Sequence, residues 1–260
     1  QAMGENFSGF ALMREFYWLF WREFKRLIPQ VAIANHILDK HRPALIITAD
    51  NADQRCRIYS LLAREKGIPS LLVQQGVASK EYPEWKFFCQ TAVAVMGKQA
   101  SNALITQGVP SEKITITGQP GFDRLIVPES DLCVQIRSEL GLRKGEKMIL
   151  FVSQPYYVGA FNSPTIRQET IRAIGQACDA MKSTILCVKP HPGDDVQDLK
   201  RVIGKESQVV MIEKTNDIVP LVKACDVVVT FFSTVALQAL YAGRPVVIVA
   251  FPGCGGSQQQ

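Results

Sequence analysis

Apolar residues in this chain follow two rhythms. Over the first forty residues they recur every three or four positions, at Phe16, Phe20, Phe24 and Leu27, with Tyr17, Trp21 and Ile28 beside them. Arg14, Arg22, Lys25 and Arg26 fall mostly on the opposite side. That spacing predicts an amphipathic helix, blurred where Trp18 and Leu19 enter the polar face. Two roles are open to it. It packs on its own domain or on a further part of it, or it lies on an anionic membrane surface through its basic, aromatic-rich side.

From residue 44 the rhythm changes to short apolar runs separated by amphipathic stretches. Strands are predicted at 44–48, 70–73, 91–95 and 114–117, with helices at 52–66 and 98–107. Residues 128–147 break the alternation with one short charged helix and the turn GLRKGEK. It then restarts, with strands at 148–152, 184–188, 209–212, 227–230 and 246–250 and helices at 165–181, 195–203, 218–224 and 234–242. Strands this uniformly apolar belong to parallel sheets covered on both faces. The fold class is therefore α/β, with two Rossmann-like doubly wound domains in series facing a cleft. We place an incomplete N-terminal domain at 1–128, a linker at 129–147 and a C-terminal domain at 148–260. The start at Gln1 and the GCGGSQQQ end suggest a piece of a longer protein.

Composition narrows the function. Hydrophobic residues make up 47% and charged residues 20%, enough apolar material for a real core. The net charge of +5 suits an anionic ligand or surface, but the basic residues are scattered without a dense block, which does not point to nucleic acid as a partner. Seven cysteines without a CxxC pair read as buried, reduced thiols of a cytoplasmic protein, and three distant histidines give no zinc site. No apolar run reaches the roughly 20 residues needed to span a bilayer, so any membrane contact is peripheral, at the inner face.

In open parallel sheets, ligands bind beyond the carboxyl ends of the strands. The residues found there are Asp50, then Gln75 and Gly76, then Gly118, then Ser153 and Gln154, then Lys189, His191 and Pro192, and finally Ser233 and Thr234. His191 sits between Pro190 and Pro192, which hold its backbone still, and an imidazole donates well to a phosphate oxygen. Ser233 stands just before a predicted helix. It is either a plain N-cap or part of a helix end whose free N–H groups meet an anion. Two phosphate-friendly positions on one rim suggest a diphosphate or a nucleotide. Asp194 and Asp195 read as the start of the next helix rather than as metal ligands.

The stretches FVSQP, VKPHP and CDVVVTFFSTVALQALYAGRPVVIV resemble the donor-binding domain of GT-B glycosyltransferases. More narrowly they are similar to enzymes of bacterial capsule and surface-polysaccharide synthesis, the Kdo and sialic-acid polymerases and the CDP-glycerol glycerophosphotransferases. The run from LLVQQG through MGKQASNALITQGVPSEKITITGQPGFDRL is similar to the end of the partner domain in the same group. The resemblance implies that His191-Pro192 and Ser233-Thr234 hold the phosphates of a CMP-, CDP- or UDP-activated donor. It implies transfer of a sugar or polyol phosphate to a glycan or lipid-linked acceptor, with no metal and no other cofactor. His191, Lys189 and the Ser233 corner would stabilise the leaving phosphate. A base from the first domain, Asp50 or else Glu81, would deprotonate the acceptor. The chain departs from the group at Phe232-Ser233, where two serines are common, at Gln238, where a glutamate is common, and at Gln75, where a histidine is common. Two other readings therefore stand beside the transferase: an isomerase resembling UDP-GlcNAc 2-epimerases, and a non-catalytic nucleotide-sugar-binding module.

Overall fold

A computed structural model describes residues 9–78, 83–128, 130–154, 164–181, 183–203, 209–213, 217–231 and 233–249. The chain forms two compact units, Gln1–Gln119 and Pro120–Gln260.

In the first unit, α1 (Gly9–Trp18) runs through a π-helical stretch (Leu19–Phe24) into α2 (Lys25–His41). The wider turn begins where Trp18 and Leu19 interrupt the predicted face. Arg42 ends α2 in the left-handed conformation, φ 43°, with its N–H donating to the Leu38 carbonyl at 2.9 Å. There follow β1 (Ile46–Thr48), α3 (Gln54–Glu65), β2 (Ser70–Val73), a 3-10 turn (Pro83–Phe87), β3 (Ala92–Val95), α4 (Lys98–Thr106) and β4 (Ile114–Ile116). The four strands are parallel in the order β1-β2-β3-β4. Leu72, Val93, Val95 and Leu104 form the fully buried centre, with Trp85 against them. Asp53 starts α3 by accepting the Arg55 N–H at 2.7 Å. The C-terminal half of α2 packs on α3, with Ala34 and Leu38 buried and Lys66 paired to Asp39 at 2.6 Å.

The second unit opens with a 3-10 turn (Pro120–Phe122), α5 (Asp123–Ile126) and α6 (Ser130–Glu139). It continues through β5 (Lys147–Val152), α7 (Pro164–Asp179), β6 (Thr184–Lys189), α8 (Val196–Ile203), β7 (Val209–Met211), α9 (Val219–Ala224), β8 (Val227–Thr230), α10 (Val235–Tyr241) and β9 (Val246–Ile248). The five strands are parallel in the order β7-β6-β5-β8-β9. Helices cover both faces, so consecutive residues such as Leu150 and Phe151, or Leu186, Cys187 and Val188, are all buried. The Phe151 and Phe231 rings meet edge to face at 5.7 Å. Leu199, Val202 and Ile203, three and four positions apart, turn the apolar stripe of α8 into this core.

The two compact units divide before Pro120, and the segment 129–147 carries the expected short charged helix, α6. Helix α6 packs on α9. The Arg137 guanidinium donates to the Ala224 carbonyl at 2.7 Å and to Asp226 at 3.0 Å. Asp226 also accepts the Met148 N–H at 2.8 Å. A charged helix thus looks like a linker in sequence because its key contact is polar, made with acceptors at the amino ends of β5 and β8.

Candidate functional site

In the second sheet the chain starts at β5, moves out to β6 and β7, then returns to the other side of β5 as β8. The direction of winding reverses there, and such a reversal opens a crevice above the carboxyl ends of the strands. Three strand ends meet at that place, and they carry the residues singled out from the sequence.

Ser153 follows β5 and is fully buried, with its N–H donating to the Lys189 carbonyl at 3.0 Å. The Thr230 hydroxyl donates to the Val152 carbonyl at 3.1 Å. The ends of β6, β5 and β8 are thereby tied together, with Gln154 half-buried beside them. At the end of β6, Lys189 is half-buried, and its ammonium donates to the Pro190 carbonyl at 3.1 Å. Burial lowers the Lys189 pKa below the ordinary lysine value, and the charge of Asp194 opposes that shift.

The His191-Pro192 turn is exposed and held by its own hydrogen bonds. The His191 N–H donates to Asp194 Oδ2 at 2.9 Å, and the Asp194 N–H returns to the His191 carbonyl at 2.9 Å. The Gly193 N–H donates to His191 Nδ1 at 3.0 Å. A nitrogen that accepts carries no proton, so the neutral ring bears its proton on Nε2, as a donor free of the loop. Asp194 therefore braces the histidine turn. Only Asp195 starts α8 as expected, accepting the Gln197 and Asp198 N–H groups at 2.9 and 3.2 Å.

The corner after β8 differs from expectation. Ser233 is not the N-cap: Thr234 holds that position, in helical conformation, φ −55° and ψ −21°. The Val235 N–H donates to Ser233 Oγ at 3.3 Å, the Ala236 N–H to the Ser233 carbonyl at 3.0 Å, and the Leu237 N–H to the Thr234 carbonyl at 3.0 Å. The first-turn N–H groups foreseen for an anion are thus already engaged, in a helix of only seven residues. What this corner offers is the two hydroxyl donors. Gln238, one turn on, is half-buried, and its Oε1 is buried without a hydrogen-bond partner among the described residues.

In the first unit, Asp50 is exposed beyond β1, and its Oδ1 accepts the Ala52 N–H at 2.7 Å in an Asx turn. Gln75 and Gly76 are exposed beyond β2, and Gly118 follows β4 with φ +78°. Glu81 lies outside the described residues. The organising residue of this rim is the buried Gln74, which the sequence places after the second strand beside Gln75 and Gly76 but which was not among the expected site residues. Its Nε2 donates to the Gly76 carbonyl and its Oε1 accepts the Met96 N–H, both at 2.8 Å. Gln119 Nε2 donates to the Gln74 carbonyl, also at 2.8 Å. Gln74 thereby joins the loops after β2, β3 and β4. A polar residue at a predicted strand end was its only signal.

Two successive parallel sheets of this topology, with polar loops at their carboxyl ends, define the GT-B class of fold. Solved structures agree. UDP-bound MnaA of S. aureus superposes with a TM-score of 0.67 at 15% identity, over 87% of this chain and 64% of that one. UDP-GlcNAc 2-epimerase from Neisseria meningitidis bound to UDP-GlcNAc gives 0.65 at 15% identity, over 84% and 62%. A variant of the wall teichoic acid polymerase TagF gives 0.55 at 13%, over 79% and 54%. The chain thus spans less than two thirds of the length of these proteins. Residues 95–252 match the CDP-Glycerol:Poly(glycerophosphate) glycerophosphotransferase family, and the chain belongs to that family. No curated protein sequence matches it.

Proposed function

We propose that this chain is the donor-seating portion of a transferase that moves a glycerophosphate or sugar unit from a nucleotide-activated donor onto a surface-polymer acceptor. The observation that carries the reading is the juxtaposition at the reversal of the second sheet. Ser153, Lys189, His191, Ser233 and Thr234 sit on the adjoining ends of β5, β6 and β8, inside the stretch matched by the family. His191 Nε2–H, the Lys189 ammonium and the two hydroxyls are donors of the kind a diphosphate requires. The family description names CDP-glycerol, and several structural neighbours hold UDP or a UDP-sugar. CDP and UDP are therefore the first donors to test, with CMP beside them.

The chemistry is substitution at the transferred centre. The acceptor oxygen bonds to phosphorus or to the sugar carbon, the bond to the nucleotide leaving group breaks, and the acceptor proton passes to a base. Negative charge grows on the departing phosphate, and we assign its stabilisation to His191, Lys189 and the hydroxyls rather than to a metal ion. Asp50 and Glu81 are the proposed bases, and a glycan or lipid-linked polymer the acceptor.

Thermal-shift titration with CMP, CDP and UDP should raise the unfolding midpoint for at least one of them. Incubation with CDP-glycerol or a UDP-sugar should then release free nucleotide. No shift with any nucleotide would overturn the reading. Binding without release would reduce it to a binding module, consistent with the amide of Gln238. The likeness to UDP-GlcNAc 2-epimerases motivates a second reading, which a changed sugar on an intact nucleotide would establish.

A further inference from the structure

We propose that Asp194 is a positioning residue for the donor phosphates: it acts through His191, holding the imidazole as the neutral tautomer with its proton on Nε2. The inference rests on the donor reading of the rim and adds a residue whose own side chain need not touch the ligand. In sequence Asp194 reads as the start of α8, but Asp195 alone fills that role, accepting the Gln197 and Asp198 N–H groups. Asp194 is half-buried and turns back to the histidine instead.

Three hydrogen bonds close the turn. The Asp194 N–H donates to the His191 carbonyl at 2.9 Å, so Pro192 and Gly193 take the central places of a β-turn, and the proline ring presets the first of them. Across the same four residues, Asp194 Oδ2 accepts the His191 N–H at 2.9 Å. The Gly193 N–H reaches His191 Nδ1 at 3.0 Å, which fixes the ring's orientation as well as its proton. Without the carboxylate the His191 N–H loses its acceptor, and the backbone that carries the ring to Gly193 is held by one bond fewer. The carboxylate has a second effect. Burial lowers the Lys189 pKa, and the Asp194 charge works against that shift, favouring the ammonium. The two effects differ chemically: an amide accepts the His191 N–H as a carboxylate does, but it brings no charge to Lys189.

Two-bond proton–nitrogen correlation spectra of the full chain read the tautomer at mildly alkaline pH, where imidazoles are neutral, and the His191 signal is the one missing in His191→Ala. Wild type is expected to show the Nε2–H tautomer alone. Asp194→Ala should show a mixture of both tautomers and, in calorimetric titration with CDP and UDP, a loss of affinity on the order of ten-fold. Asp194→Asn should restore the single tautomer and stay within about three-fold of wild-type affinity, the remainder reflecting the charge lost beside Lys189. Circular dichroism checks that the variants remain folded. A wild-type ring protonated on Nδ1 overturns the proposal. So does an Asp194→Ala protein with the wild-type spectrum and affinity, or an Asp194→Asn protein that behaves like Asp194→Ala. If wild type binds neither CDP nor UDP, the donor reading fails by itself, and the spectra still decide whether Asp194 sets the ring.

Discussion

Replacing His191 by alanine tests the imidazole in a way the geometry makes quantitative. The Gly193 N–H occupies Nδ1 at 3.0 Å, so the ring has one donor left, Nε2–H, for an anion at the rim. A hydrogen bond to a charged group contributes about 1.5–3 kcal/mol, which corresponds to roughly a ten- to hundred-fold loss of nucleotide affinity in His191→Ala. Two further variants separate reaching from bracing. His191→Asn keeps an acceptor near Nδ1 for Gly193 and removes the outer donor, so it should lose affinity like alanine. His191→Gln extends an amide towards the Nε2 position and should recover part of the loss. Calorimetric titration with CDP and UDP, with lowered salt to strengthen binding, reads all three. Unchanged affinity in His191→Ala refutes the role. Full affinity in His191→Asn refutes donation through Nε2 and leaves His191 as a brace for its turn.

Other consequences follow from the packing and the electrostatics. Phe151→Ala removes a fully buried ring from the second core and should cost about 3–5 kcal/mol, read by urea denaturation; a loss below about 1 kcal/mol would contradict the edge-to-face core. Gln74→Ala leaves the Met96 N–H without its acceptor and should cost about 1–3 kcal/mol, with faster hydrogen exchange at Met96 as the local sign. The Arg55 side chain, hydrogen-bonded to Asp53, holds that carboxyl down at about 2, below its unfolded value of roughly 3.9. The stabilisation is therefore present at neutral pH and fades as pH falls from about 4 through about 2, so the difference in stability between wild type and Asp53→Asn should shrink over that range. Burial pushes the thiols of Cys187 and Cys225 up to about 12 and that of Cys178 up to about 11, so iodoacetamide at mild alkaline pH should leave them unlabelled until the protein unfolds.

The strands among the described residues were legible as short, almost wholly apolar runs, most plainly β5, β6 and β8, whose consecutive residues are buried on both faces of the second sheet. The rim was legible for the same reason: each run stops where the chain leaves the sheet, and Ser153, Lys189 and Ser233 stand at or just past those stops. What escaped was set by hydrogen bonds that composition does not encode. Nothing in the letters distinguishes Gln74, which ties three loops, from the exposed Gln75 beside it. Nor do they show that Ser233 and Thr234 engage the first-turn N–H groups of α10. The charged helix α6 reads as a linker until its Arg137 is seen at the ends of β5 and β8. The aromatic stripe of the first helix was plain in sequence, but the choice between a packed and an open face waited for its exposure.

The account turns on where a nucleotide binds. Crystals soaked in turn with CMP, CDP and UDP test this most directly. Phosphate density is expected above the ends of β5, β6 and β8, the single phosphate of CMP or the diphosphate of CDP and UDP, with a phosphate oxygen within hydrogen-bond distance of His191 Nε2 and of the Ser233 or Thr234 hydroxyl. Density away from that rim, or none with any of the three nucleotides, would contradict it.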